Sequence, residues 1–307
     1  MPDLLRTAQS LAPPPAVNAA AIRNCFTVDV EDYFHVEAFA ESVSRDQWDG
    51  YESRVVRNTE RILDLLAEHG VRGTFYVLGW VADRYPELVQ QISAAGHEIG
   101  CHSYWHRLVY SLTPDEFRDD LRRATDVLQQ ISGQPVRTYR APSFSITRRS
   151  LWALDILADE GYRVDSSIFP VVHDTYGIPD SLPFPYTVET VSGQLVQFPP
   201  STVSLGRRRL PVGGGGYFRL YPARLSLMWL RQINQRDQQS FMFYIHPWEI
   251  DPGQPRLPGS LRSRFRHYQN LGSTERKLHQ LLAEFRYATV SEVVGRSSGL
   301  RIGAGNH

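Results

Sequence analysis

Cysteine is almost missing from this chain: Cys25 and Cys101 are the only two in 307 residues. That is too few for a disulfide framework or a cysteine-based zinc site. Net charge is missing as well. Lys+Arg 33 balances Asp+Glu 33, and the pI is near 7.2, so the overall charge suggests neither a nucleic-acid footprint nor a polybasic membrane patch. No apolar run approaches the roughly 20 residues of a spanning helix, which excludes an integral membrane protein. The start of the chain lacks the basic and apolar stretches of a signal peptide, so the expected compartment is the cytoplasm. What remains is enzyme-like: 42% hydrophobic and 21% charged residues, with 15 Tyr, 14 Phe and 6 Trp to build a core and line a cleft. The length is about twice the usual domain size, leaving two domains or one large barrel open.

Residues 1–22 read as a loose arm broken by Pro13-Pro14-Pro15, and residues 295–307 as a frayed Gly/Ser-rich tail. Between them, over 23–294, strand and helix signals alternate. Asn24–Val30, Gly73–Leu78, His97–Cys101, Val136–Arg140 and Tyr162–Val164 read as strands. Asn58–His69, Pro86–Ala95, Thr113 to Gly133 and Thr147–Glu160 read as helices, several stopped by glycine. Thr113-Pro114-Asp115-Glu116 supplies an N-cap, a Pro at the first helical position and a capping-box Glu. Later strands are expected at Gln194–Phe198, Phe241–His246 and Phe285–Val290, with a helix over Arg276–Glu284. Such repetition predicts an α/β fold with a parallel sheet, and its short spacing favours a barrel in one domain. A Pro-rich insertion is expected over about 169–235.

Four constellations close predicted strands, where α/β folds place reactive groups. Asp29-Val30-Glu31-Asp32 packs three carboxylates into four residues; they raise one another's pKa unless a cation relieves them, although a solvated acidic turn would read the same. His102-Ser103-Tyr104-Trp105-His106 spaces two imidazoles at i and i+4, able to share one metal if the segment is helical. With 10 His in 307 residues, chance supplies about 0.3 such pairs, so position rather than spacing carries the signal. Two His and one carboxylate leave coordination positions open for water and substrate. Arg140-Ala141-Pro142-Ser143-Phe144 could orient a carboxylate or form a structural ion pair. In Phe243-Tyr244-Ile245-His246-Pro247-Trp248-Glu249, a His stands at the mouth of an apolar strand, as catalyst or as satisfied core residue. Gly213–Gly216 lacks the Lys-Ser/Thr of a phosphate loop, and Arg207-Arg208-Arg209 reads as a solvated loop or an anion contact.

Taken in order, these segments resemble the polysaccharide deacetylases of carbohydrate esterase family 4, the NodB-homology fold. FTVDVED stands at the family's acidic motif, GHEIGCHSYWH at its HxxxH motif and RAPSF at its Arg-x-Pro motif. VDSSIFP is similar to its Asp-Ser-Ser segment and FYIHPWE to its last motif. TVDVEDYFHVEAF and PVGGGGYFRLYP resemble a subgroup encoded with exosortase and exopolysaccharide loci, which carries an extra C-terminal segment. The resemblance implies a distorted (β/α) barrel of about seven strands and hydrolysis of the acetamide of an N-acetylated oligo- or polysaccharide. It implies Asp29 as general base, His246 as general acid and Arg140 as the residue orienting Asp29. His102 and His106 become ligands of a divalent metal, zinc by donor type, with nickel or cobalt also suited. The spacing Asp29-x-Glu31-Asp32 leaves either Glu31 or Asp32 as third ligand: strand alternation favours Glu31, and the usual ligand type favours Asp32. Phe144, Tyr217 and Trp248 are expected to bind substrate, and Asp165 to support His246. Two other readings are an allantoinase-like amidohydrolase and a catalytically silent saccharide-binding protein; the complete HxxxH argues against the first, and the presence of Asp29 and His246 against the second.

Overall fold

The computed structural model describes residues 8–11, 22–206 and 208–298. Its strands are β1 (Gln9–Ser10), β2 (Cys25–Val30), β3 (Thr74–Val77), β4 (Glu98–Cys101), β5 (Thr138–Tyr139), β6 (Val164–Asp165), β7 (Tyr186–Thr190), β8 (Gly193–Gln197), β9 (Thr202–Leu205), β10 (Arg208–Pro211) and β11 (Met242–Ile245). Its α-helices are α1 (Val55–Glu68), α2 (Gly79–Arg84), α3 (Pro86–Ala94), α4 (Pro114–Ser132), α5 (Trp152–Asp159), α6 (Gly215–Leu220), α7 (Ala223–Gln235), α8 (Leu261–Tyr268), α9 (Leu271–Glu284) and α10 (Val290–Ser298).

One sheet runs in the order β1-β7-β8-β6-β5-β4-β3-β2-β11. The seven strands from β8 to β11 are mutually parallel, and β7 and β1 add an antiparallel edge. This is the expected distorted α/β barrel. All six residues of β2 are buried, as befits a parallel strand covered on both faces. The ends of the sheet are joined by irregular backbone. The Met242 N–H donates to Ser201 Oγ at 2.8 Å, and the Tyr244 N–H to the Gly213 carbonyl at 2.7 Å. Gly214 makes this approach possible. Its φ is 130°, and a Cβ there would lie 1.9 Å from the Tyr244 carbonyl oxygen, so only glycine fits.

The helices follow their sequence signals where caps are strong. In α4 the Thr113–Glu116 capping box forms, Pro114 opens the helix and Gly133 closes it at φ 65°. Elsewhere the structure differs. Phe285–Val290 makes only a bridge at Tyr287 to Asn24 before α10 begins, because its short apolar run continues into helix. The segment expected as insertion is partly barrel: it supplies β7 and β8 of the main sheet as well as two helices, α6 and α7, and a two-stranded unit, β9–β10. Gln9–Ser10, inside the arm read as loose, pairs with Tyr186–Thr187, and α10 runs on to Ser298. Residues 1–7 and 12–21 of that arm, Arg207 and residues 299–307 lie outside the described residues.

Candidate metal and catalytic centre

The strand carboxyl ends bring the chemistry-bearing residues together. Asp29 lies in the last turn of β2's ladder, while His102, Arg140 and His246 each follow immediately on β4, β5 and β11. Arg140 is fully buried beneath them. Its guanidinium donates to Asp29 Oδ1 at 2.6 Å, to Thr27 Oγ1 at 2.8 Å and to Ser166 Oγ at 3.0 Å. Thr27 and Asp29, two apart on β2, meet the same cation because strand side chains alternate. With Oδ1 held this way, Asp29 Oδ2 is left to face His246 Nε2 at 3.8 Å.

Glu31, His102 and His106 place one ligand atom each within 4.8 Å of one another, and all three are buried. His102 Nδ1 lies 2.8 Å from the Arg140 carbonyl; donating there leaves Nε2 with its lone pair for a ligand role. Burial pushes the His102 imidazole down to about 4, so it is neutral at pH 7. The Trp248 indole N–H donates to Glu31 Oε1 at 3.3 Å. Glu31 Oε2, 2.6 Å from His106 Nε2, has no aligned hydrogen-bond partner, nor has His106 Nδ1. Burial opposes the Glu31 charge, but the His106, His246 and His102 rings beside it pull its pKa well below the carboxylate range. Two imidazoles and an ionised carboxylate with an orphaned oxygen fit a divalent cation.

The structure separates the two candidate ligand carboxylates. Asp32 points away from the cluster: its Oδ2 accepts the backbone N–H groups of Arg54 (2.7 Å) and Val55 (3.0 Å) and the Ser53 hydroxyl, and Oδ1 the Tyr33 N–H. It caps α1, and of the two carboxylates only Glu31 lies against His102 and His106. The loop after His102 is not a helix, so the i, i+4 reasoning does not apply. Ser103 (φ 65°) and His106 (φ 51°) turn it through left-handed conformations, and Asp120 of α4 holds it by accepting the Tyr104 and Trp105 N–H groups. Ser143 and Phe144 are left-handed too. Four of the six such non-glycine residues described therefore lie at this centre, where strain is held by the surrounding structure.

His246 is oriented by a residue the sequence reading missed. His246 Nδ1 lies 2.7 Å from Glu249 Oε1, and the Arg219 guanidinium donates to Glu249 Oε2 at 2.6 Å. Burial alone would lower the His246 pKa, yet the Glu249 hydrogen bond with the Glu31, Glu249 and Asp29 charges raises it to about 9. Asp165 does not reach His246. It is buried against Ser167, and burial pushes it up to about 6. Glu249 lies within the FYIHPWE segment, and its i+3 spacing from His246 across Pro247, which makes a capping turn, is the cue that could have found it. Phe144 and Trp248, expected to bind substrate, line the cleft together with Tyr176, Tyr244, Gly215 and Gly216. Tyr217 is not among them; it lies beside Tyr176. Arg209 donates to the Pro179 and Ser181 carbonyls instead of binding an anion.

Residues 48–164 match the family profile described as polysaccharide deacetylase, and residues 166–295 match one described as a domain of unknown function (DUF3473). A peptidoglycan-N-acetylglucosamine deacetylase from Bacillus cereus is 34% identical over 98 residues, 32% of this chain and 36% of that protein. A chitooligosaccharide deacetylase from Bradyrhizobium sp. is 32% identical over 101 residues, 33% of this chain and 43% of that protein. The match thus spans less than half the length of each relative. Among solved structures, a candidate polysaccharide deacetylase from Mycobacterium smegmatis superposes with a TM-score of 0.64 at 21% identity, covering 94% of both chains. An allantoinase superposes at 0.60 and 13% identity, covering 95% of this chain and 96% of that one; both show a shared fold. Residues 48–164 are thus similar to the polysaccharide deacetylases, and the fold around them is the one these solved structures share.

Proposed function

We propose that this chain hydrolyses the acetamide of an N-acetylated sugar in a polysaccharide or its oligosaccharide precursor, releasing acetate. The observation that carries this reading is the convergence of Asp29, Glu31, His102, His106 and His246 on one cleft. A relative named for each of peptidoglycan and chitooligosaccharide deacetylation supports it. Glu31, His102 and His106 would hold a divalent ion, zinc by donor type, and that ion would supply Lewis-acid polarisation of the acetyl carbonyl. Asp29 Oδ2, its partner oxygen fixed by Arg140, takes the proton of the attacking water. His246 Nε2 gives a proton to the departing nitrogen, a poor leaving group until protonated; the Glu249–Arg219 pair keeps the ring cationic for that purpose. Among the described residues no acceptor takes the Ser143 N–H, which leaves it to receive the developing oxyanion. The subgroup resemblance extends the proposal to an exopolysaccharide as the polymer.

Acetate release from a panel of N-acetylglucosamine oligomers and polymers, with and without chelator, tests the reading. Chelator-sensitive release is expected, and His246→Ala should lower amide turnover about 100-fold or more while leaving metal content unchanged. Turnover of allantoin instead would move the chain to the ring amidohydrolases, and saccharide binding without acetate release would make it a binding protein.

A further inference from the structure

We propose that α8 and the segment leading into it form a lip that seats this protein on an anionic lipid surface beside the mouth of its cleft. The balanced charge of the whole chain conceals a local excess. Residues 252–274 carry Arg256, Arg262, Arg264 and Arg266 and no Asp or Glu. Within that stretch Leu261 is 84% exposed and Phe265 62%. At 100° per residue these two lie on one line of the helix, with Arg262 and Arg266 on one flank and Arg264 on the other. The opposite side is anchored: the His267 ring is buried and stacks on Trp248 at 4.1 Å.

Few groups neutralise the lip. Asp174 approaches Arg262 at 3.0 Å and Arg266 at 3.8 Å. Arg256 lies over the Tyr268 ring at 4.1 Å. Arg264 has no ion-pair partner among the described residues. One acid thus faces several guanidinium groups. Exposed Leu and Phe flanked by arginines is the composition of a helix lying in a bilayer interface, with the apolar tips in the acyl boundary and the cations at phosphates. Guanidinium suits that place, since its planar fork meets phosphate oxygens bidentately and is weakly hydrated. An acidic polysaccharide would meet the arginines but give Leu261 no apolar environment.

The lip adjoins the cleft. Trp248 and Gly216 line it, and α8 packs against both, through His267 on Trp248 and Gln269, just past the helix, donating to the Gly216 carbonyl at 3.4 Å. Docking requires nothing of the catalytic proposal. Its use, presenting the cleft to a saccharide carried on the same surface, rests on that proposal.

Co-sedimentation of the intact chain with vesicles tests docking without any turnover. The wild type should pellet with phosphatidylcholine vesicles containing phosphatidylglycerol and stay in solution with phosphatidylcholine alone. Each arginine removed costs about a factor of five, so R262Q/R264Q/R266Q should bind roughly 100-fold more weakly. L261S/F265S should weaken binding as well while keeping the wild-type far-UV spectrum and thermal midpoint. Should the triple variant fail to fold, release of the wild type between about 50 mM and 500 mM salt takes its place, since that range collapses the screening length. Equal pelleting of wild type and variants, no pelleting at all, or retention on polygalacturonate without vesicle binding would overturn the proposal.

Discussion

Asp32 spends both carboxylate oxygens on Tyr33, Ser53, Arg54 and Val55, whereas Glu31, its neighbour, turns inward to the two histidines. Both lie just past β2, where the Glu31 N–H turns back to the Asp29 carbonyl at 3.0 Å, and the chain leaving that turn sends Asp32 towards the start of α1. Glu31→Gln should therefore lower bound metal well below one ion per chain, measured by elemental analysis of the purified protein. Asp32→Asn should retain the ion but replace one of two accepting oxygens with an NH2 group, loosening its hold on Tyr33 or on the start of α1, seen as a lower thermal midpoint. Metal loss in Asp32→Asn with retention in Glu31→Gln would reverse the assignment. His246 offers a second test. Its folded pKa of about 9 exceeds the ordinary imidazole value, so its contribution to stability is complete below about pH 6.5 and is lost as pH rises through about 9. Glu249→Gln removes the group that raises it most, so in the metal-free protein the His246 ring should titrate lower, followed by NMR. An unchanged titration would show that Glu249 does not tune it.

At the scale of the elements, α4 serves the centre from outside the barrel. Its Asp120 accepts the N–H groups of Tyr104 and Trp105, midway between His102 and His106. Asp120→Asn keeps the size but withdraws an ionised acceptor from a buried loop; two weakened bonds of about 1 kcal/mol each let His106 drift from His102. The expected result is weaker metal affinity by roughly tenfold or more in a competition assay with a chromophoric chelator, as for other groups that orient ligands. Affinity equal to wild type would mean the loop holds itself. The elements also show what sequence could reveal. The capping box of α4, the buried run of β2 and the strand-end positions of Asp29, His102, Arg140 and His246 were legible because each is a local pattern of residues. Asp120, Glu249 and Arg219 were not. An acid on an amphipathic helix looks solvated until the fold shows the loop laid against it. For the same reason Asp165, at the end of the adjoining strand, was a reasonable partner for His246 that Glu249 displaced by proximity. Tyr217 was misjudged because the pocket beside Gly213–Gly216 is lined by Tyr176, distant in sequence.

For the molecule as a whole, the boundary near residue 165 between the two family matches is not a domain boundary in the fold. Seven parallel strands form one sheet, and β11, from the second match, pairs directly with β2. His246, Glu249 and Arg219 come from the second match, His102, His106 and Arg140 from the first, and Asp29 and Glu31 precede both. Heat should therefore unfold the described body in one transition, with calorimetric and van't Hoff enthalpies equal. Two resolved transitions would mean that the halves are stable apart. The charge distribution has the same lesson, since zero net charge over 307 residues coexists with an arginine-only stretch on α8 that composition averages away.

The seam between β8 and β11 has a further consequence. A barrel closed by a full ladder has its girth set by strand number and stagger. Here the last gap is spanned by a few backbone hydrogen bonds at Ser201 and Gly213 and by Gly214 pressed on the Tyr244 carbonyl, two residues before His246. The bore at this point is thus set by how closely two stretches of main chain can touch. A single methyl group at position 214 would push against the strand that carries His246, so the distance between His246 and Asp29 across the cleft is calibrated by the absence of a side chain.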